Sequence, residues 1–211
     1  TTTGHTSVSI QTYRTATGSG CTTSTANVVT WTISALPVSG TLTPTPAAGA
    51  ICAGTSVSAI AAAGSGGAGT IADVLQYQYD GGSWVTYTSG TSLTTTGHTS
   101  VAIQTYRTAT GSGCTTSTAN VVTWPINAVT AISSQSTATQ TRCVTFPFDA
   151  ISVTATGTGT LGYQWYKNVN PSTSGGTPVG TNSNSYTPLS SEAGTLYYYC
   201  VVTGTCGTAT S

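Results

Sequence analysis

The chain has 211 residues, of which 37% are apolar and only 4% charged, and its four Lys and Arg balance its four Asp and Glu. Four dispersed cations (Arg14, Arg107, Arg142 and Lys167) cannot make the basic track that nucleic acid requires, so no nucleic-acid partner is expected. Zero net charge removes the usual signature of disorder, and the chain has no run of 18 apolar residues, so no membrane insertion is expected in this stretch.

Threonine supplies 49 residues. It is β-branched and favours strands, and its hydroxyl lets an alternating strand face water without Lys or Glu. Alternation dominates throughout, and no segment keeps a helical period. The first expected element is the strand from Ser7 to Tyr13, with Val8 and Ile10 on one face. Gly18-Ser19-Gly20 follows as a hairpin turn. This segment then recurs: residues 1–31 return as residues 94–124, with Ser9 replaced by Ala102. The offset of 93 residues marks an array of similar modules, and its phase places the back half of a module first.

Val38 to Pro46 reads as a linker running into an edge strand, where proline is tolerated. Leu75 to Tyr79, the turn signal Asp80-Gly81-Gly82 and a return strand from Ser83 to Tyr87 predict a second hairpin. Val101 to Tyr106 and Asn120 to Trp124 are the repeated strands, and a second junction falls near Ala128–Ser134. The expected domains are therefore 1–37 (truncated), 38–130, and 131–211 as a second type that lacks the end of its last strand.

In the last domain the pattern becomes more specific. Ile151 to Gly157 is similar to strand B of an immunoglobulin domain, and Tyr163 to Asn168 to strand C with its core Trp165. Glu192-Ala193-Gly194-Thr195 followed by Tyr197-Tyr198-Tyr199-Cys200 resembles the corner into strand F, with Tyr198 at the tyrosine-corner position. The usual strand-B cysteine would fall near Val153, so Cys200 lacks its ordinary partner. The expected fold class is all-β, with tandem Ig-like sandwiches as beads on a string. Trp31, Trp124, Trp165 and Tyr198 are expected as packing residues.

Three phrases, "YQWYKN", "GTPVGTNSNSYTPLSSEAGTLYYYCVVTGTCGTATS" and the repeated "TYRTATGSGC", resemble the Ig-like repeats of very large bacterial surface proteins, such as gliding-motility adhesins exported by the type IX system. The resemblance implies an extracellular, cell-surface array that acts as a stalk and not as an enzyme. It implies neighbouring repeats as partners, with surface polysaccharide or further copies of the chain as candidates. A self-assembling filament or sheath is the alternative, motivated by a neutral surface that offers little repulsion.

Six cysteines fit an oxidising compartment. Cys52 and Cys114 are the two in the complete repeat and are expected to pair. Cys21, the copy of Cys114, would then pair upstream of residue 1. By analogy Cys143 pairs with Cys206, and Cys143–Cys200 stays open as the alternative. No metal or other cofactor is expected: there is no Cys-x-x-Cys, and His5 and His98 are one repeat apart. The acids Asp73, Asp80, Asp149 and Glu192 are dispersed, which disfavours calcium and paired-carboxylate catalysis. Asp80 reads as a turn residue and Glu192 as part of the corner. Tyr77, Tyr79, Trp84 and Tyr87 lie on one expected hairpin; alternate members are expected to be core, and a candidate ligand contact with a sugar is the competing account.

Overall fold

The computed structural model describes residues 6–16, 18–20, 23–111, 113–191 and 193–211. His5, Cys21 and Glu192 lie outside the described residues. The described elements are all strands. A hairpin, β1 (Ser7–Thr12) with β2 (Asn27–Thr32), comes first. Seven strands follow: β3 (Leu42–Thr45), β4 (Ile51–Cys52), β5 (Ser58–Ala61), β6 (Ile71–Tyr79), β7 (Val85–Thr86), β8 (Ser100–Ala109) and β9 (Asn120–Asn127). They form sandwich I, in which the sheet β4-β9-β8-β6-β7 faces the β3-β5 pair. The remaining strands are β10 (Ala131–Gln135), β11 (Ile151–Thr156), β12 (Gly162–Asn168), β13 (Thr177–Val179), β14 (Ser185–Tyr186), β15 (Tyr197–Gly204) and β16 (Gly207–Thr210). They form sandwich II, with β10-β11-β14 against β13-β12-β15-β16. Two sheets packed over one core, twice in succession and antiparallel except for the parallel β4–β9 pair, define tandem immunoglobulin-like sandwiches.

Each sandwich has its own core. In sandwich I, Val101 and Ile103 alternate inward from β8 and pack with Trp124, Val57, Ala59, Tyr87 and Leu93. The Trp124 indole N–H donates to the Pro46 carbonyl at 3.0 Å, so the buried ring keeps its polar atom satisfied. In sandwich II, Trp165 packs with Val153, Cys200 and Val202, and its indole N–H donates to the Ser183 carbonyl at 2.9 Å. Tyr198 shares the inward side of β15 with Cys200 and Val202, but it is only half buried and lies against Tyr186. The fully packed tyrosine of that strand is Tyr199, on the opposite side, stacked on Tyr166 at 5.0 Å.

The repeated sequence provides an internal control. Val8 pairs with Trp31 in the hairpin, and Val101 pairs with Trp124 in sandwich I, in the same register. The local bonds also match: Arg14 N–H donates to Ser24 Oγ at 2.8 Å, and Arg107 N–H to Ser117 Oγ at 2.8 Å. Only the surroundings differ. Trp124 is fully buried, whereas Trp31 is 50% exposed. Local pairing is therefore encoded within these 31 residues, and burial is supplied by β3–β7.

This contrast predicts a large difference between two chemically identical truncations. Trp124→Ala should destabilise sandwich I by about 3–5 kcal/mol, the usual loss for a buried aromatic. Trp31→Ala should leave that transition within about 0.5 kcal/mol, as for a surface substitution. Guanidinium unfolding of both variants checks this; equal losses would contradict the burial assignment.

Candidate functional site

The aromatic hairpin does not form an open platform. Tyr87 is buried, its hydroxyl donating to the Thr91 carbonyl and accepting the Ala59 N–H at 3.0 Å. It is a core residue, which corrects its assignment as a ligand contact. Tyr77 packs edge-on against both Tyr79 (5.5 Å) and Tyr87 (6.2 Å) and borders the core. The physical reason is strand alternation: Tyr77 and Tyr79 share the side of β6 that the core covers. Trp84 is partly buried in the turn before β7, outside this stack. Tyr79 stacks flat on His98 at 3.8 Å. Burial, and secondarily Tyr77, raises the Tyr79 phenol pKa above its ordinary value.

Every described carboxylate has a cationic or imidazole partner. Asp80 accepts from His98 Nδ1 (2.8 Å), the Thr99 N–H (2.6 Å), the Thr99 hydroxyl (2.7 Å) and the Ser100 N–H (3.1 Å). Its φ of 54° sits in the left-handed region that a tight turn needs and that Asp tolerates. The His98 bond, followed by those from Thr99, holds the carboxyl well below its usual range. Asp73 receives a two-pronged contact from Arg107, at 2.8 and 2.9 Å, which lowers its pKa despite some burial. Asp149 pairs with Arg142 at 2.9 Å. Each acid ties a loop or strand to its neighbour, and no two of them converge. Among the described residues, no group of three or more His, Cys, Asp or Glu could hold a metal ion.

The cysteines pair in a way that repeat counting missed. Cys52 is bonded to Cys206, joining sandwich I to sandwich II with a Cα–Cα distance of 5.5 Å. Cys114, Cys143 and Cys200 are free. The expected Cys52–Cys114 pair is excluded by strand direction. Cys52 lies opposite Asn127 at the end of β9, and Cys114 precedes the start of β9. Eight residues of strand separate those ends by about 25 Å, whereas a disulfide needs Cα atoms within about 7 Å. The Cys143–Cys206 pair fails likewise. Cys143 lies in the β10–β11 connection, where Thr145 bonds Ser190 ahead of β15, and Cys206 lies beyond the far end of β15. Cys200 is buried in the middle of β15, and burial raises its thiol pKa.

The disulfide sits at a built junction. The short connection after β9 packs on two loops of sandwich II. Ala128 N–H donates to Thr158 Oγ1 at 2.9 Å, and Thr130 N–H to the Cys206 carbonyl at 3.2 Å. Thr130 fits because Gly157 and Gly204 carry no side chain; a Cβ on Gly204 would lie 2.5 Å from the Thr130 hydroxyl. That hydroxyl is buried without a hydrogen-bond partner among the described residues, a cost the surrounding contacts must offset. None of these threonines stood out in a chain with 49 of them.

At the opposite end of sandwich II, residues of the β10–β11 and β14–β15 connections line a cavity of about 850 Å³, with Trp165, Tyr198 and Cys143 in its wall. Burial, then Tyr186, raises the Tyr198 phenol pKa. No helix of the described residues is long and apolar enough to cross a membrane.

No protein-family model matches the chain, and no curated protein matches it. Among solved structures, the chain is similar to Sidekick-1 immunoglobulin domains 1-5, at 14% identity and a TM-score of 0.45. That similarity covers 83% of this chain and 38% of the other, so the chain spans well under half of that structure.

The depressed carboxyls make sandwich I sensitive to acid. The folded pKa of Asp80, and that of Asp73, lies below the unfolded value. Their contributions are present above the unfolded pKa of about 4 and are lost as pH falls through the folded values. Melting temperature should therefore be flat from neutrality to about pH 5 as far as these two acids contribute, then fall as the solution becomes more acidic. Asp80→Asn should lower stability at pH 7 and shrink the acid-induced loss, as measured by thermal unfolding between pH 2 and 7.

Proposed function

We propose that this chain is a stretch of extracellular stalk, in which Ig-like sandwiches are held end to end to carry a contact surface away from a cell. The observation that carries the reading is the Cys52–Cys206 bond across the junction. A disulfide within one sandwich would serve stability alone. One between sandwiches restricts their relative motion, because each already holds a separate core. By loop-closure entropy, a 154-residue link would stabilise against full unfolding by about 5 kcal/mol. With the two cores folded independently, the constraint falls mainly on the junction.

A structural disulfide favours an oxidising, extracellular setting. Each described acid bonds a neighbouring cation or imidazole and no two converge, which fits a structural use of the charges. The resemblance of "YQWYKN" and of the repeated "TYRTATGSGC" to adhesin repeats supports a bacterial cell-surface protein of the gliding-motility, type IX-exported kind. Weak contacts to surface polysaccharide would gain strength by repetition along such an array. A second reading, lateral self-assembly, is favoured by the neutral, charge-poor chain, which offers little repulsion between parallel molecules.

Small-angle X-ray scattering and sedimentation velocity, with and without reductant, separate these readings. The stalk predicts an elongated monomer at every concentration, whose distribution of intramolecular distances broadens on reduction or in Cys206→Ser. Growth in mass with concentration, unaffected by salt, would favour the filament and contradict the stalk as the main role.

A further inference from the structure

The junction between the two sandwiches has a counterpart one module earlier. Residues 32–35 align with residues 125–128 by the 93-residue offset, so Ile33 and Ser34 stand where Ile126 and Asn127 stand in sandwich I. The connection that follows packs on sandwich I as residues 128–130 pack on sandwich II. Gly67 N–H donates to the Ala35 carbonyl at 2.8 Å, and Val38 and Ser65 exchange backbone bonds at 2.8 and 3.0 Å. The receiving surface is the β5–β6 loop with the β8–β9 loop in sandwich I, and the β11–β12 loop with the β15–β16 loop in sandwich II. In sandwich II the latter loop carries Cys206, between β15 and β16. In sandwich I it carries Cys114, between β8 and β9.

What differs is the strand that delivers the other sulfur. At the later junction, β4 lies parallel to the end of β9, with Ile51 opposite Ile126 and Cys52 opposite Asn127. The Ala53 N–H closes the pairing by donating to the Asn127 carbonyl at 2.9 Å. At the earlier junction there is a cavity of about 240 Å³ instead, lined by Thr32, Ile33, Ser34, Leu36, Ala68, Gly113 and Cys114. Its wall therefore joins the residues that would pair with a β4-type strand to the thiol that would meet its cysteine. Cys143, eight residues before β11, matches Cys52, six residues before β5; it is free and exposed at the far end of sandwich II.

We infer that Cys114 is the acceptor half of an inter-module disulfide, and that its cavity takes an Ile-Cys edge strand of the β4 kind from the module to which the β1–β2 hairpin belongs. Each module then carries one cysteine at each end: a Cys52-type donor facing the next module and a Cys206-type acceptor facing the previous one. The array is stapled between modules, not within them. This rests on the equivalence of the two junctions and is independent of what the array binds.

The test uses the full chain and a synthetic peptide of residues 49–57, whose single thiol is supplied as a mixed disulfide with glutathione. The Cys114 thiolate attacks the peptide sulfur, the Cys114–peptide bond forms, and glutathione leaves as a thiolate that takes up the proton. Trypsin cleaves after Arg107 and Arg142, which puts Cys114 on a fragment of its own and separates it from Cys143. The expected result is capture at Cys114 at least tenfold faster than at the more exposed Cys143, lost with a scrambled peptide. Ile33→Asp should abolish that preference while leaving capture at Cys143 unchanged. Equal capture at the two cysteines, or a scrambled peptide that works as well, would overturn the proposal. Either result leaves the stalk reading to the scattering experiment, so the two fail separately.

Discussion

A β-hairpin cannot bury its own apolar face; a second sheet has to close over it. The rest of this structure follows from that constraint. Residues 7–32 and 100–125 form hairpins of the same register from nearly the same sequence, yet only the second encloses a core. The covering strands β3–β7 turn Trp124 into a core residue. Once closed, a sandwich is a rigid unit with two ends, and the interest of the chain moves to how those ends meet.

The ends meet through a short connection, two loops and a disulfide. Three contacts act on the same few residues: the Thr158 hydroxyl on Ala128, the Cys206 carbonyl on Thr130, and the Cys52–Cys206 bond. Glycines at 157 and 204 let the connection approach closely. The scarce charges are used in the same economical way. Arg107 grips Asp73 and also donates to the Gly66 carbonyl at 3.2 Å, in the loop against which the earlier connection runs. Asp80 organises the corner between β6 and β8 with four hydrogen bonds. The Asp80 contacts stand at a corner, whereas Asp73 and Arg107 are cross-strand partners within the β6–β8 ladder.

Strand positions were legible in the sequence because period-2 alternation and Gly-rich turns act locally. Leu75–Tyr79, Val101–Tyr106, Asn120–Trp124, Ile151–Thr156 and Tyr163–Asn168 all lie within strands. The return strand from Ser83 to Tyr87 shrank to Val85–Thr86, since Tyr87 leaves the edge to enter the core. Of the three tryptophans expected to pack, Trp124 and Trp165 are core residues, while Trp31 is 50% exposed. Cysteine pairing was not, because it depends on which end of a strand faces which neighbour, and spacing along the chain carries no direction. Cys52 and Cys114 share a sandwich yet point to opposite ends of it. The aromatic hairpin was legible as partly core, because alternation places Tyr77 and Tyr79 on one side of β6, and Tyr87 packs with them.

The central claim is that covalent links run between modules, and direct mapping of the disulfide tests it. Tryptic digestion of the unreduced protein, with free thiols blocked beforehand, cuts after Arg14, Arg107, Arg142 and Lys167. The account predicts that fragments 15–107 and 168–211 travel as one species until reduction, with fragmentation placing the link on Cys52 and Cys206. A bond joining fragments 15–107 and 108–142 through Cys52 and Cys114, or 143–167 and 168–211 through Cys143 and Cys206, would contradict it.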